Sequence, residues 1–243
     1  MDTIVAPALP RGLEWANTAP LGMDELIGHP VLVEFWDFCR VNSLRTLPYL
    51  REWHARYESE GLAVIGVHSP GFPPSRDERA VHEAVARLQV RYPVAIDSRL
   101  EVWHLYENRG WPARYLWDER GHLHEFHYGE GAYADTERAI QGLLGVEREP
   151  LAPVRPEDDP RAELAPQSAD RPGAYSGPYE AGGVWAVLAG PGTVTVNGQR
   201  RAVEHPGCHP LVRHEAHTRA VLDLQVGNGV TCHAVCFTPG IVR

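Results

Sequence analysis

Residues 31–48 read Val-Leu-Val-Glu-Phe-Trp-Asp-Phe-Cys-Arg-Val-Asn-Ser-Leu-Arg-Thr-Leu-Pro. The first six residues are apolar except for Glu34, which is typical of a strand buried on both faces of a sheet. From about Asn42 to Tyr57 an apolar residue recurs every three or four positions. This part therefore predicts a helix, which Pro48 bends because it removes one backbone donor. The stretch as a whole predicts a buried strand, a short turn and a helix.

The residues that follow continue the alternation of strand and helix. Apolar runs predict strands at residues 62–67 and 92–97, and Ser75-Arg76-Asp77-Glu78 has the spacing of a capping box that opens a helix between them. Residues 112–128 predict a β-hairpin, and a closing helix is expected from about Tyr133 to Leu144. Because alternation comes first and a hairpin last, we predict an α/β domain with a mixed central sheet flanked by helices.

Beyond residue 146 the composition changes twice. Residues 147–172 are rich in proline, aspartate and glutamate, which predicts a solvated, semi-stiff linker. From residue 173 onward short apolar strands alternate with turns. Asn197-Gly198 is a strong hairpin signal, because a type I′ turn needs positive φ at both central residues. We therefore predict an α/β domain at 1–146, a linker at 147–172, and a small all-β, sandwich-like module at 173–243.

The overall composition argues against several classes of function. The formal net charge is −9 and no basic stripe is present, so we expect no binding to nucleic acid. No stretch approaches the roughly 20 apolar residues of a membrane helix, and no secretory signal is recognisable. We therefore expect a cytoplasmic protein that does not associate with membranes. Four cysteines without a paired framework fit a reducing compartment, and no motif indicates a cofactor.

Several short motifs resemble one known family. Glu34-Phe35-Trp36 before the turn and Pro48 after it match the thioredoxin superfamily pattern. Further matches are Trp15-Ala16-Asn17, Gly66-Val67-His68-Ser69-Pro70, Tyr92-Pro93-Val94-Ala95, Trp111-Pro112-Ala113-Arg114-Tyr115-Leu116 and Gly129-Glu130-Gly131. Over residues 13–145 the chain resembles the thioredoxin-like redoxin family (the TlpA and AhpC/TSA superfamily), in particular the soluble C-terminal region of DipZ-type proteins. The β module is similar to the β-sandwich that follows this domain there.

The resemblance also shows what this chain lacks. The family's chemistry uses two thiols in a Cys-x-x-Cys motif at the start of a helix, where unpaired N–H groups and the helix dipole stabilise a thiolate. By motif position Arg40 and Ser43 stand in place of those two cysteines. An arginine is no nucleophile and a serine cannot resolve a disulfide. The resemblance thus implies a degenerate motif, in a cleft lined by Trp36, Arg40, Asn42, Ser43, Trp111 and Pro112.

Three residues retain parts of the family's machinery or offer a substitute for it. The resemblance implies that Glu34 is a buried acid behind the turn, whose pKa burial raises, and that a cis bond precedes Pro112. Cys39 lies one position before the usual nucleophile. One hypothesis makes Cys39 a monothiol site, with its pKa lowered by Arg40 and the helix start. The other hypothesis makes it an inert cysteine that points away from the cleft.

Two groups of histidines and cysteines have ligand types that suit zinc or copper. His122, His124 and His127 lie on the predicted hairpin. The β module carries His205, Cys208, His209, His214, His217, Cys232, His233 and Cys236. Their spacings match no known finger or ribbon, so we expect surface histidines and packed cysteines, and no metal.

Three functional hypotheses follow. The first is a pseudo-oxidoreductase that binds a protein or small-molecule partner through its cleft, with at most monothiol activity at Cys39. The second is a working thiol–disulfide oxidoreductase or peroxide-reducing protein whose nucleophile has moved to Cys39. The third is a carbohydrate- or partner-binding protein that acts through the β module. The sequence names no substrate or partner, and it leaves open whether the protein forms a homodimer.

Overall fold

The computed structural model describes residues 3–243. The chain divides into two compact units: one comprises the chain up to Phe38 together with Asn42–Ala152, and the other comprises Cys39–Val41 together with Pro153–Arg243. No helix within the described residues has both the length and the apolar character needed to cross a membrane.

The first unit is a six-stranded mixed sheet with four α-helices. Its strands are β1 (Glu14–Ala16), β2 (Val31–Trp36), β3 (Ala63–His68), β4 (Val94–Ile96), β5 (Ala113–Trp117) and β6 (Leu123–Tyr128), in the order β1-β4-β3-β2-β5-β6. Its helices are α1 (Val41–Tyr57), α2 (Glu78–Arg87), α3 (Glu101–Leu105) and α4 (Tyr133–Leu144). The β2–β3 and β3–β4 pairs are parallel and the others antiparallel. The predicted mixed α/β sheet is therefore confirmed.

Burial explains why Val31–Trp36 forms the central strand of this sheet. All six residues of β2 are buried, and the strand has a hydrogen-bonded neighbour on each side. Apolar side chains of β2, β3 and β5 form one core with aromatic residues of the flanking segments. Helix α1 runs through Pro48. Residues 37–43 leave the sheet at the carboxyl end of this central strand and run into the first residues of α1. This segment is called the active-site turn because it stands at the position of the active-site motif in the family that the sequence resembles.

The N-terminal segment lies along the outer edge of the hairpin strand β6. Val5 forms an isolated bridge with His122, and Leu123 N–H donates to the Ile4 carbonyl at 2.9 Å. Ala6 N–H donates to the Gly121 carbonyl at 2.8 Å. The first residues of β6 are thus covered on their outer side.

One predicted element boundary was wrong. Ser75 does not cap the second helix, because Pro73–Arg76 forms a separate 3-10 turn in which the Ser75 hydroxyl bonds the Phe72 carbonyl. Asp77 caps α2 instead, since its carboxylate accepts from the N–H groups of Arg79 and Ala80. Ser75 and Asp77 both carry side-chain oxygens that can accept hydrogen bonds at a helix N-terminus. Asp77 directly precedes α2, so its carboxylate caps the helix.

The second unit is built of β-strands alone apart from one 3-10 turn. Its strands are β7 (Leu164–Ala165), β8 (Arg171–Pro172), β9 (Gly177–Ala189), β10 (Gly192–Val196), β11 (Gln199–Val203), β12 (Gly207–Leu222), β13 (Leu224–Val226), β14 (Thr231–Thr238) and β15 (Gly240–Ile241). They form sheets in the orders β12-β9-β14-β8, β11-β10-β13 and β15-β7. The two larger sheets contribute to one apolar core, as in a sandwich.

Two details of this unit bear on the sequence predictions. Asn197 and Gly198 both have positive φ, 49° and 81°, as the predicted hairpin turn requires. The stretch at 147–172, predicted as a linker, contributes β7 and β8, which pair with β15 and β14. Residues from Pro153 onward belong to the second unit, where the pairing of β7 and β8 satisfies some of their backbone polar groups.

Candidate functional site

One hydrogen bond closes the active-site turn on itself, and two more connect its start to the segment that follows β3. Asp37 N–H donates to Ser43 Oγ at 3.2 Å, which closes the turn on itself. The Asp37 carboxylate accepts from Gly71 N–H at 2.8 Å, and Ser69 N–H donates to the Trp36 carbonyl at 3.1 Å. Ser43 is completely buried. Its hydroxyl is therefore part of the fold of the turn.

A histidine lies directly behind the turn. In the parallel register of β2 and β3, Trp36 is opposite His68. His68 Nε2 lies 3.7 Å from Asp37 Oδ1, both side chains are fully buried, and the ring of Phe38 stacks on the imidazole at 5.3 Å between centroids. No role for His68 is predicted from the sequence, in which it stands only within the motif Gly66-Val67-His68-Ser69-Pro70. Knowing that β2 and β3 are parallel neighbours would have placed it beside the turn.

The proline loop predicted to face the turn has the expected backbone. The Trp111–Pro112 peptide bond is cis. Trp111 Nε1 donates to the Ser69 carbonyl at 2.9 Å, and its ring packs on Trp103 at 4.2 Å between centroids. Pro112 is buried, whereas Trp111 keeps part of its surface exposed. The loop thus presents one tryptophan from a fixed position.

Glu34 is an acid buried in the centre of the sheet. It is 1% exposed and lies opposite Gly66 on one neighbouring strand and Arg114 on the other. Neither carboxylate oxygen has a hydrogen-bond partner within residues 3–243. Burial raises the pKa of Glu34 to about 8, although the charge of Arg114 acts to lower it. Glu34 is therefore mostly protonated at neutral pH.

The cation opposite Glu34 is also buried. Arg114 is 1% exposed, and its Nη2 donates to the Gly131 carbonyl at 2.7 Å. Its guanidinium lies 5.1 Å from the ring centre of Tyr133 and 5.8 Å from that of Trp53. Burial lowers the pKa of Arg114, while the Glu34 charge acts to raise it. Aromatic faces and one carbonyl hold this cation without a full ion pair.

Comparison with known proteins places this geometry in a family. Protein DipZ of Mycobacterium tuberculosis is 34% identical over 175 residues, which is 71% of this chain and 25% of DipZ. The thiol-disulfide oxidoreductase YkuV of Bacillus subtilis is 27% identical over 139 residues, which is 57% of this chain and 93% of YkuV. The chain belongs to the thioredoxin-like redoxin family. It spans about a quarter of the length of the DipZ proteins it matches, and no family model matches it.

The structural comparison agrees on the fold of this redoxin. The crystal structure of a thiol-disulfide isomerase from Corynebacterium glutamicum superposes with a TM-score of 0.51 at 22% identity, covering 58% of this chain and 98% of the isomerase. At that identity the match shows the thioredoxin-like fold alone.

The predicted site residues of the redoxin differ in their access to solvent. The Cys39 side chain is completely buried. Arg40 is half-buried and Asn42 is exposed. Trp36 and Ser43, which were predicted among the cleft residues, have no exposed surface. Trp36 is inside because it is the last residue of a strand buried on both faces, and its ring edge packs on His68.

An ion pair near the start of α1 was missed from sequence. Arg45 Nε donates to the Glu130 carboxylate at 2.7 Å, and both side chains are largely buried. His127 Nε2 donates to the Glu130 carbonyl at 3.0 Å. The Gly129–Gly131 turn, with both glycines at positive φ, is thus fastened to the site helix. The motif Gly129-Glu130-Gly131 resembles that of the family, but nothing in the motif indicates Arg45 as the partner of Glu130.

The histidines and cysteines of the second unit have separate partners. His205 stacks on His209 at 4.5 Å, His214 Nε2 lies 3.0 Å from the Tyr179 hydroxyl, and His217 Nε2 lies 3.5 Å from a Glu180 oxygen. Burial raises the pKa of Cys232 to about 11 and that of Cys236 to about 12. Residues 3–243 contain no group of three or more such side chains placed to hold a metal ion.

Proposed function

We propose that this redoxin does not perform dithiol exchange and that its site binds a partner protein or small molecule. The proposal rests on one observation above all: Ser43, at the position of the family's second thiol, is completely buried, and its Oγ accepts the Asp37 N–H. A hydroxyl in that role cannot form a disulfide. The only described cysteine of the turn, Cys39, is buried as well.

Binding is supported by the features that remain at the site. Trp111 keeps exposed surface on a loop fixed by its hydrogen bond to Ser69, and Asn42 is exposed in the first turn of α1. A partly exposed tryptophan offers a large contact area with little loss of side-chain freedom on binding. The scaffold of the family's cleft is therefore retained around residues that can make contacts without redox chemistry.

The decisive experiment restores the motif. In the double variant Arg40→Cys/Ser43→Cys the retained Glu34 and cis Pro112 would again stand beside a dithiol, so we expect reduction of insulin disulfides with dithiothreitol as the electron donor. The unchanged protein and the Ser43→Cys single variant should show no rate above the dithiothreitol background. Insulin reduction by the unchanged protein that is lost in Cys39→Ser would overturn the proposal and favour an active Cys39 enzyme.

Thiol labelling separates the two readings of Cys39 directly. In a Cys208→Ser/Cys232→Ser/Cys236→Ser variant, iodoacetamide can modify only Cys39. Because the thiol is buried, we expect labelling of the folded protein at pH 7 to be at least about 100-fold slower than of the protein unfolded in guanidinium chloride. Labelling at a similar rate in both conditions would contradict an inert Cys39.

A further inference from the structure

Strand β6 lies at the edge of the six-stranded sheet, and the outer side of its second half is uncovered. Within the described residues β5 is the only strand that is hydrogen-bonded to it. The N-terminal segment covers only its start, through the bridge between Val5 and His122 and the hydrogen bond from Leu123 N–H to the Ile4 carbonyl. No described residue pairs with the outer side of residues 125–128. A free edge of this kind is a template for another strand.

The backbone groups of Phe126 and Tyr128 point away from the sheet. Tyr128 is opposite Ala113 in the β5–β6 ladder, and the next residue, Gly129, donates its N–H to the Pro112 carbonyl at 2.8 Å. Hydrogen-bonded and non-hydrogen-bonded pairs alternate along an antiparallel ladder. Because Gly129 forms a hydrogen-bonded pair, positions 128 and 126 form non-hydrogen-bonded pairs with β5. Their N–H and C=O groups therefore face outward.

The side chains of the same two residues are exposed aromatic rings. Phe126 is 56% exposed and Tyr128 is 41% exposed. Being two positions apart, they lie on one face of the sheet, and their ring centroids are 5.7 Å apart. Tyr115 on β5 contacts both: its ring stacks on Phe126 at 6.5 Å between centroids, and its hydroxyl lies 2.9 Å from that of Tyr128. Outward backbone groups and exposed rings thus coincide at positions 126 and 128.

We propose that two copies of this protein pair through the free edge of β6, in antiparallel orientation about a two-fold axis at His127. This register places Phe126 of each copy opposite Tyr128 of the other. Both positions carry outward backbone groups, so each of the two pairs exchanges both of its N–H···O bonds. The exposed rings become cross-strand aromatic pairs, which stabilise a sheet. The edge complements itself in this register, and a second copy is therefore its occupant.

The charges on the other face of β6 are complementary in the same register. His127 lies opposite His127 of the second copy, and Glu125 of each copy is a diagonal neighbour of that pair. Glu125 Oε1 accepts from Thr136 Oγ1 at 3.2 Å, and His127 Nε2 donates to the Glu130 carbonyl at 3.0 Å. The described hydrogen bonds thus use one polar atom of each side chain and leave the other for the second copy. Two carboxylates flank two imidazoles, so charge of one sign does not accumulate at the axis.

Sedimentation velocity of the full chain at increasing concentration tests the dimer. Because the paired edge is short, we expect a weak dimer with a dissociation constant on the order of 10–100 μM. Phe126→Lys puts a charge on the edge, as natural edge strands do to prevent pairing, and should weaken the dimer at least about tenfold. Val221→Lys changes a residue of the second unit that is 67% exposed, and should leave association unchanged.

Three results overturn the proposal. The first is a monomer at every concentration up to about 500 μM, well above the expected dissociation constant. The second is unchanged association of the Phe126→Lys variant. The third is an equal loss in Val221→Lys, which would show that association does not depend on β6.

Disulfide formation tests the register. In a Cys232→Ser background the remaining native cysteines are buried. Directly opposite Cα atoms in a hydrogen-bonded pair lie about 5.5 Å apart, within the range of a disulfide, whereas diagonal positions lie about 7–8 Å apart. With oxidised glutathione, a mixture of the Phe126→Cys and Tyr128→Cys proteins should therefore form covalent dimers at least about fivefold faster than either protein alone. Equal rates in the three samples would contradict pairing of position 126 with position 128.

Discussion

Glu34 and Glu137 are both carboxylates buried in the first unit, each about 1% exposed, yet their surroundings differ in almost every respect. Glu137, on α4, accepts four hydrogen bonds: from Trp53 Nε1 at 3.1 Å, Arg56 Nη1 at 2.6 Å, Tyr57 Oη at 2.7 Å and Leu151 N–H at 2.7 Å. Glu34 accepts none among the described residues.

The comparison shows that Glu137 stabilises the fold through its hydrogen bonds, whereas Glu34 is buried without any among the described residues. Glu137 joins α4 to α1 and to the chain segment at Leu151, so its charge is fully compensated. Glu34 is buried without such donors, which costs free energy unless the carboxyl stays protonated. Acids in this condition occur mainly at functional sites. Glu34 lies three residues before the active-site turn, where the redoxin family retains an acid, although the thiols it would serve are absent.

The largest expected effect is the dependence of stability on pH. Glu34 in the unfolded chain ionises near its usual pKa of 4.5, but burial raises its pKa in the folded protein to about 8. Between these two pH values Glu34 is protonated in the folded protein and ionised in the unfolded chain. The contribution of Glu34 to the free energy of unfolding therefore falls as pH rises from about 4.5 to 8, and it is constant above that range. Each pH unit corresponds to about 1.4 kcal/mol, up to about 5 kcal/mol in total.

Urea unfolding of the protein and of Glu34→Gln at pH 5, 6, 7 and 8 measures this effect. The variant lacks the titrating group, so its free energy of unfolding relative to the unchanged protein should rise steadily over that range. Other groups titrate in both proteins and cancel in the difference. If the free energies of unfolding of the two proteins changed with pH in parallel, Glu34 would ionise at its ordinary pKa, and the difference from Glu137 would disappear.

A somewhat smaller effect is expected at Glu137. Glu137→Ala leaves the buried donors of Tyr57 and Trp53, and the half-buried guanidinium of Arg56, without their acceptor, so the free energy of unfolding should fall by about 3–5 kcal/mol. Glu137→Gln keeps an acceptor and should cost less, about 2 kcal/mol. Thermal and urea unfolding measure both. A loss below about 1 kcal/mol in the alanine variant would mean that the four hydrogen bonds are not what holds α4 to α1.

The smallest effect is expected for an acid that has a partner but little burial. Glu83 pairs with Arg79 at 2.9 Å on α2, and the two side chains are 53% and 87% exposed. Solvent screens such a pair, so Glu83→Gln should change the free energy of unfolding by at most about 0.5 kcal/mol. Urea unfolding in low and high salt gives the value. A loss comparable with that of Glu137→Gln would show that burial is not the variable that ranks these acids.

Much of the first unit could be read from its sequence, because buried parallel strands are nearly continuous apolar runs. β2, β3 and the hairpin of β5 and β6 were all placed within a few residues. Glu34 and the cis bond before Pro112 came from the family resemblance and not from periodicity.

The features that were missed depend on contacts between distant parts of the chain. His68 and Asp37 are 31 positions apart and meet only because β2 and β3 are parallel neighbours. Arg45 and Glu130 meet only when the hairpin returns to α1. The N-terminal segment at residues 5–12 lines a pocket of the first unit, and no periodic pattern in the sequence predicts that position. The histidine-rich part of β12 was predicted to be exposed, and its pairing with β9 could not be predicted from the local pattern.

The N-terminal strip, residues 4–6, lies along the start of β6, and this position affects how the protein should be handled. Residues 4–6 cover the backbone edge of β6 near His122, while further along the same strand Phe126 and Tyr128 are 56% and 41% exposed. An uncovered edge strand beside exposed aromatic rings is a template for intermolecular pairing. Cleavage between residues 7 and 12 would free this strip, and we expect the nicked protein to self-associate and precipitate at concentrations where the intact chain stays dispersed.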